Sequence, residues 1–155
     1  MKKLSTSVNQ TLKIGRLLAQ KLSGGEIILL SGSLGAGKTI LAKGIAQGLG
    51  IDQYNVVSPT FVFLRVYKGK HFLNHFDFYR IDNPKEILAL GYEEYFYSGS
   101  VSVVEWPERL KFLLPREFLK IKLIVKARES RSLEFTAKGL RYKKLLKDIY
   151  EDIRH

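Results

Sequence analysis

Apolar positions change period several times along the chain, and each change marks an element. Ser7 followed three residues later by Gln10 has the form of a capping box, after which Thr11, Ile14, Leu17, Leu18 and Leu22 recur at helical spacing until Ser23-Gly24-Gly25 interrupts them. Glu26 to Leu30 is a short, β-branched apolar run of the kind found in strands buried on both faces. A glycine-rich turn runs from Gly32 to Gly37. From Lys38 the helical period returns, with Leu41, Ala42, Ile45, Ala46 and Leu49 on one face and Gly50 placed to end it. Strand, glycine loop and helix therefore follow one another directly.

The middle of the chain reads as strands: Thr60 to Tyr67, His71 to Phe78 and Ser100 to Glu105 are short and rich in aromatic or β-branched residues. Between the last two, Asn83-Pro84-Lys85-Glu86 has the form of a helix start ahead of Ile87, Leu88 and Leu90. After Pro107 and Pro115, Leu119, Ile121, Leu123 and Val125 alternate with Lys120, Lys122 and Lys126, a strand with one basic, exposed face. Leu133 to Ala137 pairs with it across Glu129-Ser130-Arg131-Ser132, and a last helix turns Leu145, Leu146, Ile149 and Ile153 inward and Lys143, Lys144 and Lys147 to water. Together these elements predict one α/β domain over residues 1–155: a three-layer sheet of mixed parallel and antiparallel strands with flanking helices, and a basic strand and helix extension at about 118–155.

Composition narrows the class. With 155 residues, 45% of them apolar and 26% charged, the chain has enough apolar surface to fold without staples, and the absence of cysteine removes disulfides, thiolate metal sites and thiol nucleophiles. Met1 to Ser7 carries two lysines but no apolar core after them, and no uncharged apolar run approaches about 18 residues, so a cytoplasmic chain with no membrane segment is expected. The net charge of +11 is uneven: residues 1–110 hold 13 basic and 9 acidic side chains, and residues 111–155 hold 13 and 6, so the smaller part carries +7. Such a field attracts RNA or an acidic protein surface, or serves only as a solvated face.

The chemistry concentrates in Gly32-Ser33-Leu34-Gly35-Ala36-Gly37-Lys38-Thr39, a complete G-x-x-x-x-G-K-[ST] phosphate-binding loop. Its glycines let the backbone form a concave nest of N–H groups, and the following helix adds the positive end of its dipole. In that frame Ser33, Leu34, Gly35, Ala36, Gly37, Lys38 and Thr39, with Ile40 just behind, form the nucleotide-binding set; Lys38 reaches the β- and γ-phosphates and Thr39 coordinates Mg²⁺. A purine triphosphate with Mg²⁺ is the implied ligand, and the absence of an N-K-x-D signature tilts the choice toward ATP.

Hydrolysis further needs a metal-side carboxylate and a group that orients water, both expected at strand carboxyl ends. Asp77 and Glu105 stand at the ends of their predicted strands, where each could instead cap a turn or sit at an edge. Ser58-Pro59-Thr60 is a candidate nucleotide-sensing loop or a simple Ser-Pro turn feeding a strand. His71 and His75, four residues apart on a predicted strand, are too far apart for easy chelation and fit hydrogen-bonding roles.

In order and spacing, Gly32 to Thr39, Ser58-Pro59-Thr60-Phe61, His75-Phe76-Asp77-Phe78-Tyr79-Arg80, Gly91-Tyr92-Glu93-Glu94-Tyr95-Phe96 and Val104-Glu105-Trp106-Pro107-Glu108 resemble the TsaE (YjeE) family, over roughly residues 5–137. These are P-loop ATPases of the pathway that places threonylcarbamoyl on adenosine 37 of tRNAs reading codons that begin with A. The resemblance implies a P-loop NTPase-like sheet and ATP hydrolysis with Mg²⁺, carried out while docked on the TsaD–TsaB pair, in which TsaD is the transferase. It also implies that Asp77 and Glu105 join Thr39 at the Mg²⁺ and water site, that Thr60 lies in a switch-like loop and that Trp106 lies beside the nucleotide. Arg80 is family-matched too, either steadying the γ-phosphate region or pairing with Asp77.

Ser33 and Ile40 depart from the family's usual Asp and second Thr, which bears on the hydrolysis rate more than on nucleotide binding. Two other readings are a small P-loop kinase, for which no Arg-rich lid segment is present between Lys38 and Glu105, and a nucleotide switch without productive hydrolysis. The basic residues beyond Ala137 lie outside the resemblance and are free to face tRNA or an acidic partner. Lys38→Ala should abolish productive ATP use. Cells carrying only that variant are expected to lose the tRNA modification, and unchanged modification measured by nucleoside mass spectrometry would contradict the assignment.

Overall fold

The computed structural model describes residues 1–154. Seven strands form one sheet in the order β1-β7-β6-β2-β5-β4-β3. They are β1 (Lys2–Ser5), β2 (Ile27–Ser31), β3 (Leu64–Tyr67), β4 (Leu73–Asp77), β5 (Val101–Glu105), β6 (Phe118–Val125) and β7 (Arg131–Lys138). The helices are α1 (Val8–Ala19), α2 (Lys38–Gly48), α3 (Pro84–Ala89), α4 (Tyr92–Phe96) and α5 (Leu140–Ile153), with short 3-10 segments at Gln53–Asn55 and Pro107–Leu113. None of these helices is long and apolar enough to cross a membrane. The mixed sheet with flanking helices agrees with the sequence-based expectation.

The four central strands, β6, β2, β5 and β4, are mutually parallel, and the edges are antiparallel. Every residue of β2, β4 and β5 is buried, which is why these runs lack polar alternation. On one face α1, α2 and α5 close a core around Leu18, Ile28, Leu30, Leu41, Ile45 and Leu119. On the other, α3, α4 and the Pro107–Leu113 segment close a smaller core that includes Ile27, Leu29, Phe76, Phe96 and Leu110. There Phe76 meets Phe96 edge to face with ring centroids 5.3 Å apart.

Several boundaries differ from expectation for local reasons. The strand expected from Thr60 begins only at Leu64, because Phe63 takes a left-handed conformation (φ 68°) and its N–H bonds back to the Pro59 carbonyl at 2.6 Å, so Thr60–Phe63 forms a turn. The strand expected from His71 is confined to Leu73–Asp77. At the amino terminus Ser7 Oγ accepts from Gln10 N–H at 3.1 Å, whereas Gln10 Oε1 accepts from Thr6 N–H, so only half of a capping box forms. β1 and α4 were not legible from periodicity, being four and five residues long.

α1 and α2 cross at backbone contact. A methyl at Gly15 would come within 2.7 Å of the Leu41 carbonyl oxygen and 2.8 Å of Gly44 Cα, and one at Gly44 would run into the Leu12 carbonyl. At this crossing only glycine fits, despite its cost in a helix interior. The contact matters for the site because α2 begins at Lys38. Gly44→Ala is expected to destabilise the protein by about 2 kcal/mol even though alanine favours helix by about 1 kcal/mol. A urea midpoint equal to wild type would show that the helices can separate freely.

Candidate functional site

β2 ends at Ser31, and the chain then turns through Gly32–Gly37 into α2. Gly37 stands at φ 103°, a conformation closed to other residues, as the loop enters the helix. Parallel pairing aligns Leu30 of β2 with Glu105 of β5, and Glu105 with Asp77 of β4. Both carboxylates therefore stand at the level at which the loop leaves the sheet. They border an open cavity of about 390 Å³ lined by Leu34 to Ile40, Ser58, Thr60, Asp77, Tyr79, Glu105 and Trp106.

The ionisable groups here are withdrawn from water: Lys38 is 5% exposed, Asp77 3%, Glu105 2% and His75 0%. Lys38 Nζ donates to the Gly32 and Ser33 carbonyl oxygens at 2.6 and 2.8 Å and sits 4.5 Å over the Trp106 ring. Burial pulls the Lys38 ammonium below the ordinary lysine range, and the carboxylates of Glu105, Glu108 and Asp77 oppose that shift. The bonds to neutral carbonyls leave this cation short of charge compensation.

Glu105 accepts from the Thr39 hydroxyl at 3.0 Å on Oε1, and its Oε2 lies 2.6 Å from His75 Nε2, which donates to it. Asp77 accepts from Thr60 Oγ1 at 2.7 Å on Oδ2 and from Tyr79 N–H at 2.9 Å on Oδ1, and Thr60 in turn meets Ser58 Oγ at 2.7 Å. Each carboxylate is thus held by a hydroxyl from a different segment. Trp106 leaves β5 in the left-handed region (φ 59°), which lays its indole beside Lys38 and 4.9 Å from the Tyr79 ring.

Among the described residues no group of three or more His, Cys, Asp or Glu side chains is arranged to hold a metal. The hydroxyl of Thr39 and the carboxylate of Glu105 are hard oxygen donors of the kind Mg²⁺ takes when its other ligands are water and substrate phosphate.

The site residues named from sequence fall into three places. Leu34, Gly35, Ala36, Gly37, Lys38, Thr39, Ile40, Thr60, Asp77, Glu105 and Trp106 line the cavity. Ser33 lines a neighbouring pocket on the far side of Trp106, and its carbonyl accepts from Lys38. Arg80 lies outside the lining, with its guanidinium 4.8 Å over the exposed Phe61 ring, and among the described residues it forms no ion pair with Asp77.

Two contributors were missing from that set. His75 stands two residues before Asp77 on the same strand, hence on the same side, and that spacing is a signal in the sequence. Arg131 of β7 had none, since its contact with the loop spans 95 residues: Nε donates to the Ala36 carbonyl at 2.9 Å while Nη1 donates to the nearby Ala127, Arg128 and Ser130 carbonyls. One guanidinium joins the phosphate-loop backbone to the tip of the β6–β7 hairpin.

The chain is similar to known proteins in both sequence and fold. The family profile described as threonylcarbamoyl adenosine biosynthesis protein TsaE matches residues 5–133. A tRNA threonylcarbamoyladenosine biosynthesis protein TsaE from Bacillus subtilis (strain 168) is 39% identical over 141 residues, which cover 90% of this chain and 87% of that one. The protein of the same name from Treponema pallidum (strain Nichols) is 38% identical over 133 residues, covering 86% of this chain and 98% of that one. Among solved structures, the crystal structure of Bacillus subtilis YdiB superposes with a TM-score of 0.84 at 33% identity, covering 98% of this chain and 95% of that one.

Arg131→Met is expected to raise amide hydrogen exchange in 34–37 and in 127–130 together, with β2 and β5 unchanged. Faster exchange confined to the hairpin would show that the loop holds its shape without this residue.

Proposed function

The chain belongs to the TsaE family of tRNA threonylcarbamoyladenosine biosynthesis, and we propose that its part in that pathway is to bind and hydrolyse ATP with Mg²⁺ as a subunit acting on a TsaD–TsaB pair. The observation that carries this reading is the meeting, in one cavity, of residues 34–39 of the phosphate loop with two buried carboxylates, each tied to a hydroxyl. A cradle alone supports binding; a cradle faced by two fixed carboxylates supports hydrolysis.

The roles follow from the contacts. Lys38 exchanges its carbonyl partners for the β- and γ-phosphate oxygens, replacing neutral acceptors with charged ones in a poorly hydrated place. Thr39 and Glu105 would hold Mg²⁺, which when bound neutralises phosphate charge. His75 fixes the orientation of Glu105 through its 2.6 Å bond. Asp77 is left to orient the attacking water, with Thr60 and the Tyr79 N–H setting the direction of its carboxylate. Thr60 belongs to the Thr60–Phe63 turn, so a change in that turn's position acts directly on Asp77.

The test is reconstitution of tRNA threonylcarbamoylation from purified components with wild type, Glu105→Gln, and wild type with a nonhydrolysable ATP analogue. Glu105→Gln is expected to retain nucleotide and to slow phosphate release by about 10²-fold or more. Modification should fall with phosphate release and should stall with the analogue. Wild-type turnover by the variant would remove Glu105 from the chemistry, and full modification with the analogue would remove hydrolysis from the function.

A further inference from the structure

The second face of the sheet is covered only in part. The α3, α4 and Pro107–Leu113 layer packs over residues of β2, β4 and β5 and reaches Phe118 at the start of β6. Pairing puts Lys120, Lys122 and Ile124 of β6 on that same side as Leu29 of β2, together with Lys138, Thr136, Glu134 and Ser132 of β7, and Lys2 and Leu4 of β1. No helix lies over these positions: Lys122, Thr136, Lys138, Lys2 and Leu4 are exposed, and Lys120, Ser132 and Glu134 are half-buried.

Where this open face meets the covered one there is a pocket of about 580 Å³, and it is bordered by Arg109, Lys111, Lys120 and Lys122 with Glu108 as its one acidic side chain. Among the described residues none of those four cations is in a salt bridge, whereas Lys2 pairs with Glu134 at 3.1 Å. Ser31, on the pocket wall, carries a buried hydroxyl with no hydrogen-bond partner among the described residues. Trp106 separates this pocket from the phosphate-loop cavity and lines both.

The charge on α5 is organised differently. Lys144 pairs with Asp148, Arg154 with Glu151 and Arg141 with Glu26, and Asp152 takes Lys21. On α5 only Lys143 and Lys147 are left outside salt bridges among the described residues, against Arg109, Lys111, Lys120, Lys122 and Lys138 on and beside the open sheet face.

We propose that the open sheet face, from Lys138 across Lys120 and Lys122 to Arg109 and Lys111, binds the phosphate backbone of a duplex RNA stem. Lysines on alternate positions of a strand stand about 6.6 Å apart, which spreads cations in a row rather than concentrating them at a point. Lysine, arginine and the hydroxyls of Ser132 and Thr136 are the groups that contact phosphate and sugar in nucleic-acid complexes. Interfaces with proteins are instead depleted in lysine and enriched in aromatic anchors. No aromatic ring is exposed among these strand positions, Phe118 being buried, and Trp106 on the adjoining pocket is half-buried and already packed against the Tyr79 ring, so the strands offer no platform for stacking unpaired bases. A paired stem, read by shape and backbone, matches those properties. This inference rests on the function proposed above only for the choice of tRNA as the RNA to test.

The experiment is a fluorescence-anisotropy titration of a labelled, unmodified tRNA transcript, without nucleotide, at several salt concentrations. Two charge-matched variants are compared with wild type: Lys120→Ala/Lys122→Ala/Lys138→Ala on the sheet and Lys143→Ala/Lys144→Ala/Lys147→Ala on α5. The sheet variant is expected to bind at least about tenfold more weakly, with a log–log salt slope smaller by about 2 to 3, and the helix variant to stay within about twofold of wild type. Arg109→Gln/Lys111→Gln should reproduce the direction of the loss without touching the strands. Equal losses in both triple variants, or a greater loss in the helix variant, would overturn the proposal. So would displacement of the RNA by a glutamate-rich peptide at lower charge concentration than unlabelled RNA, which would assign the face to an acidic protein. Omitting nucleotide keeps the outcome independent of whether the chain hydrolyses ATP.

Discussion

In-register pairing of three parallel strands underlies the whole site. Leu30, Glu105 and Asp77 lie side by side on β2, β5 and β4, so the phosphate loop and both carboxylates emerge from the sheet at one level. A shift of one residue in either pairing would send a carboxylate to the opposite face, into apolar packing. The buried Val101, Val103 and Val104 on β5 and Leu73 and Phe76 on β4 resist that shift, because it would move each from the core it packs in to the opposite one. The aromatic cluster around Phe76 and the aliphatic core around Leu30 and Leu41 thus determine where the polar groups stand, without touching a ligand themselves.

Electrostatics divides the protein at Trp106. On one side, a single poorly hydrated ammonium faces Asp77 and Glu105; on the other, four cations face Glu108. Burial lowers the Lys38 pKa and the nearby carboxylates oppose that shift, so the site's own acids favour the charged form of the group that attracts an anion, which also lies over the indole. The unusual backbone at Trp106 and at Lys111 (φ 49°) bends the chain around this divide. Such conformations persist where the surrounding structure over-determines them.

Much of this was legible in the sequence because it depends on short-range rules. The loop, its strand and its helix are contiguous, and Asp77 and Glu105 could be located as strand ends. What could not be read depends on which distant residues meet. Arg131 reaches Ala36 across 95 residues, and no local pattern marks it. The Thr60–Phe63 segment reads as strand because its β-branched and aromatic side chains favour extended backbone, while the Phe63–Pro59 hydrogen bond and the Thr60–Asp77 contact favour a turn. Arg80 was assigned by resemblance to the phosphate end or to Asp77, yet it lies over Phe61 at the surface. His75 shows the opposite case, a legible spacing whose significance appeared only once Glu105 was seen 2.6 Å away.

The glycine crossing of α1 and α2 makes the cavity mechanically lopsided. Its floor, the start of α2, continues into a helix braced by backbone against backbone at Gly15 and Gly44. Its opposite wall is a four-residue turn whose Phe61 and Val62 face solvent, and which reaches Asp77 through the Thr60 hydroxyl and the Phe63 carbonyl. In a cavity with one wall fixed by a close helix crossing and the other a surface turn, a change in the contents is taken up more readily at the turn, where Phe61 and Val62 face solvent.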